Sequence, residues 1–181
     1  MAYLSFSLKQ LVATVIGTSI FFLLARFFSY HIFGDIFLVL QYAVVGFFAV
    51  VFGPICGLVI GLAGHLLVFL SFGNGILWSS VIASAFVGLL SGLLFKPGKV
   101  DGGKFDGMDV VRFIIGSLII SIISWGIIKP VGDILFYSFP VSTVFIQGLI
   151  SGAGKFIVTA TVGSVLITAY SKSREKSTSP D

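Results

Sequence analysis

The sequence is dominated by long apolar runs that only short polar or Gly/Pro-containing segments interrupt. Charged residues make up 10% of the chain, against about 25% in a typical soluble domain. A helix needs roughly 20 mostly apolar residues to span a bilayer. We therefore predict an all-α membrane protein, a six-transmembrane-helix bundle. The predicted spans are 8–30, 36–52, 54–69, 76–95, 110–128 and 141–170.

Local helix-breaking signals set several of these boundaries. Gly53-Pro54 divides an apolar run too long for one span, because proline disfavours helix at the preceding residue and starts a new helix well. Gly73-Asn74-Gly75 is a strong turn signal, and Lys129-Pro130 is predicted to end the fifth span. Residues 1–170 are predicted to form one transmembrane domain and residues 171–181 a charged, disordered cytoplasmic tail.

The basic residues indicate the orientation. Six spans put both termini on one side, and eight of the 11 Lys and Arg residues then share that side. The positive-inside rule makes this side the cytoplasm. The eight are Lys9, Lys96, Lys99, Lys104, Arg112, Lys172, Arg174 and Lys176. The net charge of +4 is therefore a signal of topology, and no nucleic-acid partner is expected.

Strong polar side chains at membrane depth cost roughly 2.5–3.5 kcal/mol each on insertion scales, so they persist where they pair, line water or bind a ligand. In the predicted orientation they fall largely in the outer halves of the spans and the outer loops, with Lys155 nearer the midplane. The candidate binding residues are Arg26, Gln41, Tyr42, His65, Asn74, Trp78, Trp125, Lys129, Asp133, Gln147 and Lys155. The inner halves hold almost none apart from Ser and Thr. This asymmetry predicts a polar cup open to the outside above an apolar plug.

Most candidates also have a purely structural explanation. Arg26 and Lys129 can extend to the headgroups, and Trp78 and Trp125 are typical of interfacial aromatic belts. Asp133 can pair with the lysine four residues earlier.

Lys155 is the hardest candidate to explain structurally. It lies about 14 residues from either end of its span, beyond the reach of snorkelling, so a role in binding or in an ion pair is expected. Gln147 lies a little over two turns before it and can face the same direction. His65 can be either a binding residue or a packing histidine.

Patterns of catalytic or metal-binding residues are missing from the sequence. Gly152–Lys155 resembles the end of a phosphate-binding loop, but Phe156 replaces the required Ser or Thr, and Leu149 the first glycine. Two separated histidines and the lone Cys56 do not form a metal site. We therefore expect neither an enzyme nor a bound metal.

Three blocks of the sequence carry a family resemblance: Gln41–Val44, Phe52–His65 with the pattern G-P-x-x-G-x-x-x-G-x-x-G-H, and Trp78–Ser84. They resemble the substrate-binding S components of energy-coupling factor (ECF) vitamin transporters. The riboflavin-type and hydroxymethylpyrimidine/pyridoxine-type groups are the most similar.

The resemblance implies a multi-pass protein of the bacterial cell membrane that binds one small vitamin near its outer face. It also implies docking onto a transmembrane coupling (T) protein with two ABC-type ATPases, which would hold the ATP and Mg²⁺. No cofactor is expected in this chain. Ala13 and Gly17 match the spacing of the small residues that contact the T protein in that family.

Within the predicted cup, Trp78 and Trp125 can stack on a ring. Lys155 can meet a phenolate or ring oxygen, and the amide and imidazole side chains can bind the ring edge. The alternative is a self-sufficient carrier or channel for a small solute, and a membrane-embedded enzyme or sensor is a third, disfavoured possibility.

Overall fold

A computed structural model describes residues 7–28, 30–33, 36–73, 75–96 and 98–178 of the chain. These residues form six helices and one β-hairpin. The helices are α1 Leu8–Phe27, α2 Gln41–Phe52, α3 Pro54–Phe72, α4 Trp78–Leu93, α5 Gly107–Tyr137 and α6 Val141–Ser177. The hairpin pairs β1, Tyr30–Phe33, antiparallel to β2, Ile36–Leu38, between α1 and α2.

The hairpin corrects two predicted boundaries. Helix α1 ends at Phe27 instead of residue 30, and α2 begins at Gln41 instead of residue 36. The intervening residues are mainly aromatic and β-branched, and such residues favour extended backbone. The six predicted helices are present, and the short hairpin is an addition to the predicted all-α bundle.

Helix α5 runs past the proline that was predicted to end it. Residues Ile122–Ile128 form a π-helical segment, and the Lys129 N–H bonds the carbonyl of Ser124, five residues earlier. A π-segment changes which carbonyls need donors, so the missing N–H of Pro130 does not stop the helix. The helix continues to Tyr137.

Helix α6 also extends beyond its predicted end. It contains a second π-segment, Thr159–Gly163, and continues to Ser177, so the predicted disordered tail is wrong for residues 171–177. Ser171 is buried, and its hydroxyl accepts a hydrogen bond from the N–H of Phe105 at 3.3 Å. This contact packs the end of α6 against the loop that follows α4.

The helices differ in their ability to cross a bilayer. Within the described residues, α1, α3, α5 and α6 are long and apolar enough to span a membrane. Helices α2 and α4 are apolar but have only 12 and 16 residues. At 1.5 Å per residue they are shorter than the roughly 30 Å of the hydrocarbon core.

The two ends of the bundle are chemically distinct. At the end that we call the termini end, Asp101 accepts hydrogen bonds from Lys9 Nζ at 2.8 Å and from the Tyr170 hydroxyl at 2.6 Å, and pairs with Arg174. The Lys9 and Tyr170 hydrogen bonds hold the pKa of Asp101 below its usual range. The ionised carboxylate therefore joins α1, the loop after α4 and the end of α6 at neutral pH. The opposite end carries the hairpin and is called the hairpin end.

Glycines bring α3 and α4 into backbone contact. A Cβ on Gly88 would overlap the carbonyl oxygen of Gly57, and one on Gly61 would overlap that of Ser84. A Cβ on Gly92 would overlap the backbone of Pro54. Small residues at three- or four-residue spacing permit this approach between membrane helices. The close packing of α3 on α4 therefore depends on these glycines.

We expect Gly88→Ala to destabilise the bundle by about 1–3 kcal/mol, because the added methyl group forces α3 and α4 apart. Thermal unfolding of the detergent-purified protein measures this loss. Gly107→Ala is the matched control, since a Cβ there meets no atom within 4 Å. Equal melting temperatures for the two variants would contradict the tight α3–α4 contact.

Candidate functional site

Four of the predicted candidates meet in the interior of the bundle. Lys155 Nζ lies 3.7 Å from the ring centroid of Trp125 and 5.5 Å from that of Tyr42. The Tyr42 hydroxyl lies 3.2 Å from His65 Nδ1. Tyr42 is in the first turn of α2, directly after the hairpin, which places the group in the hairpin half. We call these four residues the aromatic–lysine cluster.

The aromatic rings of the cluster fix one another by edge-to-face packing. The Tyr42 and Trp125 rings are perpendicular, with centroids 5.5 Å apart. Phe21 packs edge-on against Tyr42 at 5.7 Å, and Phe69 stacks on His65 at 5.1 Å. Such pairs hold rings in defined orientations. Together with Phe21 of α1, the cluster therefore joins α1, α2, α3 and α5 around the lysine of α6.

The π-segment of α5 decides where the Trp125 side chain points. Trp125 lies within that segment and is fully buried. Its carbonyl oxygen faces Gly148 so closely that a Cβ there would overlap it. A π-turn shifts the angular position of all following side chains. The distortion therefore positions both the ring and the α5–α6 contact.

Lys155 is held by a hydroxyl and two rings. Its ammonium donates to the hydroxyl of Ser151, one turn earlier on α6, and forms cation–π contacts with Trp125 and Tyr42. Among the described residues, the ion pairs are formed by other cations, and no carboxylate pairs with Lys155. The cluster is thus a cationic, aromatic site.

A small cavity adjoins the cluster. It has a volume of about 10 Å³, which is room for about one water molecule. Hydroxyl groups line it beside Tyr42, Trp125 and Lys155: those of Ser91, Ser117, Ser121 and Thr159. Ligand pockets typically measure about 300–1,000 Å³, so a ring-sized ligand requires neighbouring side chains to move.

Several buried polar atoms are available for hydrogen bonding, and two of them belong to residues that line this cavity, Ser117 and Trp125. Within the described part of the chain, Trp125 Nε1, Ser117 Oγ and Gln41 Oε1 are buried and have no hydrogen-bond partner. Buried polar groups are normally paired. These atoms can accept or donate bonds to a polar ligand. The predicted candidate Gln41 is thus buried directly before Tyr42 on α2.

Two further candidates bind each other. Lys129 Nζ lies 2.5 Å from a carboxylate oxygen of Asp133, and the other oxygen accepts a hydrogen bond from the hydroxyl of Ser79. Asp133 is fully buried. The group ties α4 to α5 near the hairpin end. This geometry agrees with the structural alternative for these two residues, in which the aspartate pairs with the lysine.

Three further candidates, Arg26, Trp78 and Gln147, lie away from the cluster. Arg26 is exposed, and its guanidinium lies 4.7 Å from the ring centroid of Phe72. The Trp78 side chain is 49% exposed, and the backbone N–H of Trp78 donates to the Tyr137 hydroxyl at 2.8 Å. Gln147 is exposed on α6. Asn74 lies outside the described residues.

The two residues predicted to contact the T protein face inward. Ala13 and Gly17 are buried on α1, and a Cβ on Gly17 would lie 2.5 Å from Cδ1 of Ile60. The outward face of α1 carries larger apolar side chains, including Val12 and Ile16. The small size of Gly17 permits close packing against α2 and α3. The coupling role of Ala13 and Gly17 stays a prediction.

Sequence reasoning missed the hydroxyl-bearing residues of the site. Ser117 and Ser121 are separated by four residues on α5, and Ser151 precedes Lys155 by the same spacing on α6. Residues four apart share a helix face. This periodicity within apolar spans was the available signal, but serine and threonine are too common in membrane helices to stand out by type.

Comparisons with known proteins agree with this fold. Residues 5–172 match the family model of the ECF-type riboflavin transporter, S component. A UPF0397 protein of Streptococcus thermophilus is 36% identical over 172 residues, 94% of each chain. A UPF0397 protein of Streptococcus pneumoniae strain R6 is 34% identical over 167 residues, 92% of each chain.

A solved structure of ThiT from Listeria monocytogenes superposes with a TM-score of 0.64 and covers 93% of this chain and 96% of that chain. Its sequence identity of 16% makes this a likeness of fold. The family model, in contrast, matches nearly the whole sequence and confirms the resemblance seen in the sequence. The chain is a multi-pass protein of the bacterial cell membrane and belongs to the family of ECF-type riboflavin transporter S components.

Proposed function

We propose that this chain captures a small water-soluble vitamin with a planar ring at the aromatic–lysine cluster and delivers it inward as part of an ECF-type importer. The candidate ligands are hydroxymethylpyrimidine, pyridoxine and riboflavin-like compounds. The observation that carries the proposal is the Lys155 ammonium packed on Trp125 without a carboxylate partner among the described residues. The S-component family supports the transport role.

The cluster offers the contacts that a hydroxylated ring needs. The Trp125 face can stack on an aromatic ring. The unpartnered Trp125 Nε1 can donate to it, and Ser117 Oγ can donate or accept. A ligand that pairs these atoms removes the cost of leaving them buried and unsatisfied. Neither Trp78 nor Arg26 is needed for this mode of binding.

The charge of the cluster favours some ligands over others. Lys155 lines the cavity, and none of the described residues that line it is acidic. A cationic ring would be repelled in a site of low dielectric constant, whereas a phenolate or ring oxygen would be attracted. We therefore propose neutral or anionic ring compounds as ligands.

The cavity of about 10 Å³ implies that the ligand ring takes the place of the Lys155 side chain on Trp125. The lysine has four flexible methylene groups and can swing toward the ring edge. In that position its ammonium would exchange a cation–π contact for a direct hydrogen bond to the ligand.

We expect Lys155→Met to weaken vitamin binding by about 10- to 100-fold, because a hydrogen bond to a charged group is worth about 1.5–3 kcal/mol. Isothermal titration of the purified chain with riboflavin, pyridoxine and hydroxymethylpyrimidine measures this change, with thiamine as the cationic comparator. Mass spectrometry of the co-purifying ligand identifies the natural compound.

Two further variants keep this test interpretable. Ser19→Ala, on the exposed face of α1, removes a hydroxyl that bonds only a carbonyl of its own helix and should bind normally. Tyr42→Phe removes a hydroxyl without changing the core volume, so it reports on binding if Lys155→Met fails to fold. Wild-type affinity in both Lys155→Met and Tyr42→Phe would rule out the cluster as the site.

We propose that a T protein and two ABC-type ATPases, which hold ATP and Mg²⁺, drive transport. Liposomes that contain this chain alone should bind the vitamin without accumulating it, and co-reconstitution with the partners should give ATP-dependent uptake. The measurement is accumulation of radiolabelled vitamin. Accumulation by the chain alone, independent of ATP, would instead favour a self-sufficient carrier or channel.

We also propose six membrane spans with both termini in the cytoplasm. The eight basic residues at the termini end support this orientation through the positive-inside rule. In this arrangement the hairpin and the cluster lie in the outer half.

Cysteine labelling tests the orientation. Ser71→Cys, at the hairpin end, should react with a membrane-impermeant maleimide in intact cells, whereas Ser173→Cys should react only after permeabilisation. Both serines are exposed, and buried Cys56 should leave the parent protein unlabelled. Labelling of Ser173→Cys in intact cells would reverse the proposed orientation.

A further inference from the structure

Four lysines at the termini end stand apart from the other cations there. Lys96, Lys104, Lys172 and Lys176 are exposed, and no acidic residue among those that the structure describes forms an ion pair with them. We call them the free-lysine surface. The sequence alone does not show which basic residues at this end form ion pairs and which do not.

The other basic residues at this end serve the fold. Asp101 pairs with Lys9 at 2.8 Å and with Arg174 at 3.3 Å. The buried carboxylate of Asp109, at the start of α5, pairs with Lys99 at 2.5 Å and with Arg112 at 3.4 Å.

Among the residues that the structure describes, two acidic residues remain exposed at this end. The Asp106 side chain caps the N-terminus of α5 by accepting from the N–H of Asp109. Glu175 lies on α6 between two of the free lysines in sequence. The positive charge of the free-lysine surface is therefore only partly offset by neighbouring carboxylates.

Three members of the surface lie near one another. Lys172 and Lys176 are four residues apart on α6 and share a helix face. Gly103 lies against the backbone of Glu175, with an added Cβ 3.0 Å from its Cα, which brings the adjacent Lys104 to the same helix. A concentrated positive charge results at the end of α6.

The surface lies just beyond the lipid-facing part of the bundle. At the same end, Leu8, Leu93 and Met108 expose 76%, 55% and 68% of their area. Such large apolar side chains belong in the hydrocarbon of a membrane protein. Lys96 follows Leu93 at the end of α4, and Lys104 precedes Met108 at the start of α5. Both lysines therefore lie at the end of a span, within reach of the phosphate groups.

We propose that the free-lysine surface binds the phosphate groups of anionic phospholipids. Basic residues beside membrane spans attract anionic lipids, and each contributes most strongly within a Debye length of the headgroups. The occupant is a lipid, because its phosphate group complements the charge of the lysines and its acyl chains contact the neighbouring exposed apolar side chains, Leu8, Leu93 and Met108. The bound leaflet would hold this end of the bundle at the membrane surface.

Native mass spectrometry of the detergent-purified chain tests this proposal. Phosphatidylglycerol should be retained in preference to phosphatidylcholine, and replacing all four lysines by glutamine should abolish the preference. Each lysine removed should weaken retention by about fivefold. Replacement of the same four by arginine should preserve the preference, since the charge is kept.

A structural variant separates lipid binding from folding. Asp101→Asn should lower the melting temperature equally with either lipid, because it breaks contacts within the fold. The four-glutamine variant should instead melt like the wild type in phosphatidylcholine and lose only the stabilisation given by phosphatidylglycerol.

Three outcomes would overturn the proposal. The first is an unchanged phosphatidylglycerol preference in the four-glutamine variant. The second is displacement of bound phosphatidylglycerol by inorganic phosphate as readily as by added phosphatidylglycerol, which would indicate a site for free anions. The third is a variant that keeps its lipid preference but no longer associates with the partner proteins, which would make this surface a protein interface.

Discussion

The bundle depends on backbone contact between α3 and α4. Membrane helices gain little from the hydrophobic effect when they associate, so close van der Waals packing must hold them. Gly57, Gly61 and Gly88 remove the side chains that would separate the two helices. This contact sets the position of His65 on α3 and of Ser79, which bonds Asp133 of α5, on α4. The aromatic–lysine cluster and the Ser79–Asp133 hydrogen bond between α4 and α5 therefore both depend on the α3–α4 contact.

A second constraint is the π-helical segment of α5. It carries Trp125 into the interior, lets the helix continue through Pro130 and presses the Trp125 carbonyl against Gly148. One local distortion thus serves helix length, helix packing and the cluster. A π-turn is retained at some cost in hydrogen-bond geometry and is frequent at functional sites, which fits the placement of the ring that faces Lys155.

The sequence predicted the helices better than their ends. Gly53-Pro54 marked the division between α2 and α3 correctly, because proline restricts its neighbours locally. The Pro130 signal failed, because the π-segment that accommodates it depends on packing against α6. The hairpin was missed because its apolar residues resemble span ends when only hydropathy is considered.

The candidate site was predicted in part. Depth in the membrane selected Tyr42, His65, Trp125 and Lys155, and these four do meet. Depth alone could not show that Lys129 binds Asp133 instead. Which side of a helix a residue occupies depends on the angular shifts made by two π-segments, and those shifts leave no clear mark in the sequence.

The sequence by itself determined three properties of this protein. They are its insertion into a membrane, the positions of its apolar segments along the chain, and the basic character of one end. These properties follow from composition and order along the chain, because each residue contributes nearly independently to transfer into lipid. Only the tertiary structure decided which polar side chains meet at Lys155 and which lysines keep no carboxylate partner among the described residues. Such pairings need distant segments to come together, and helix packing alone controls that.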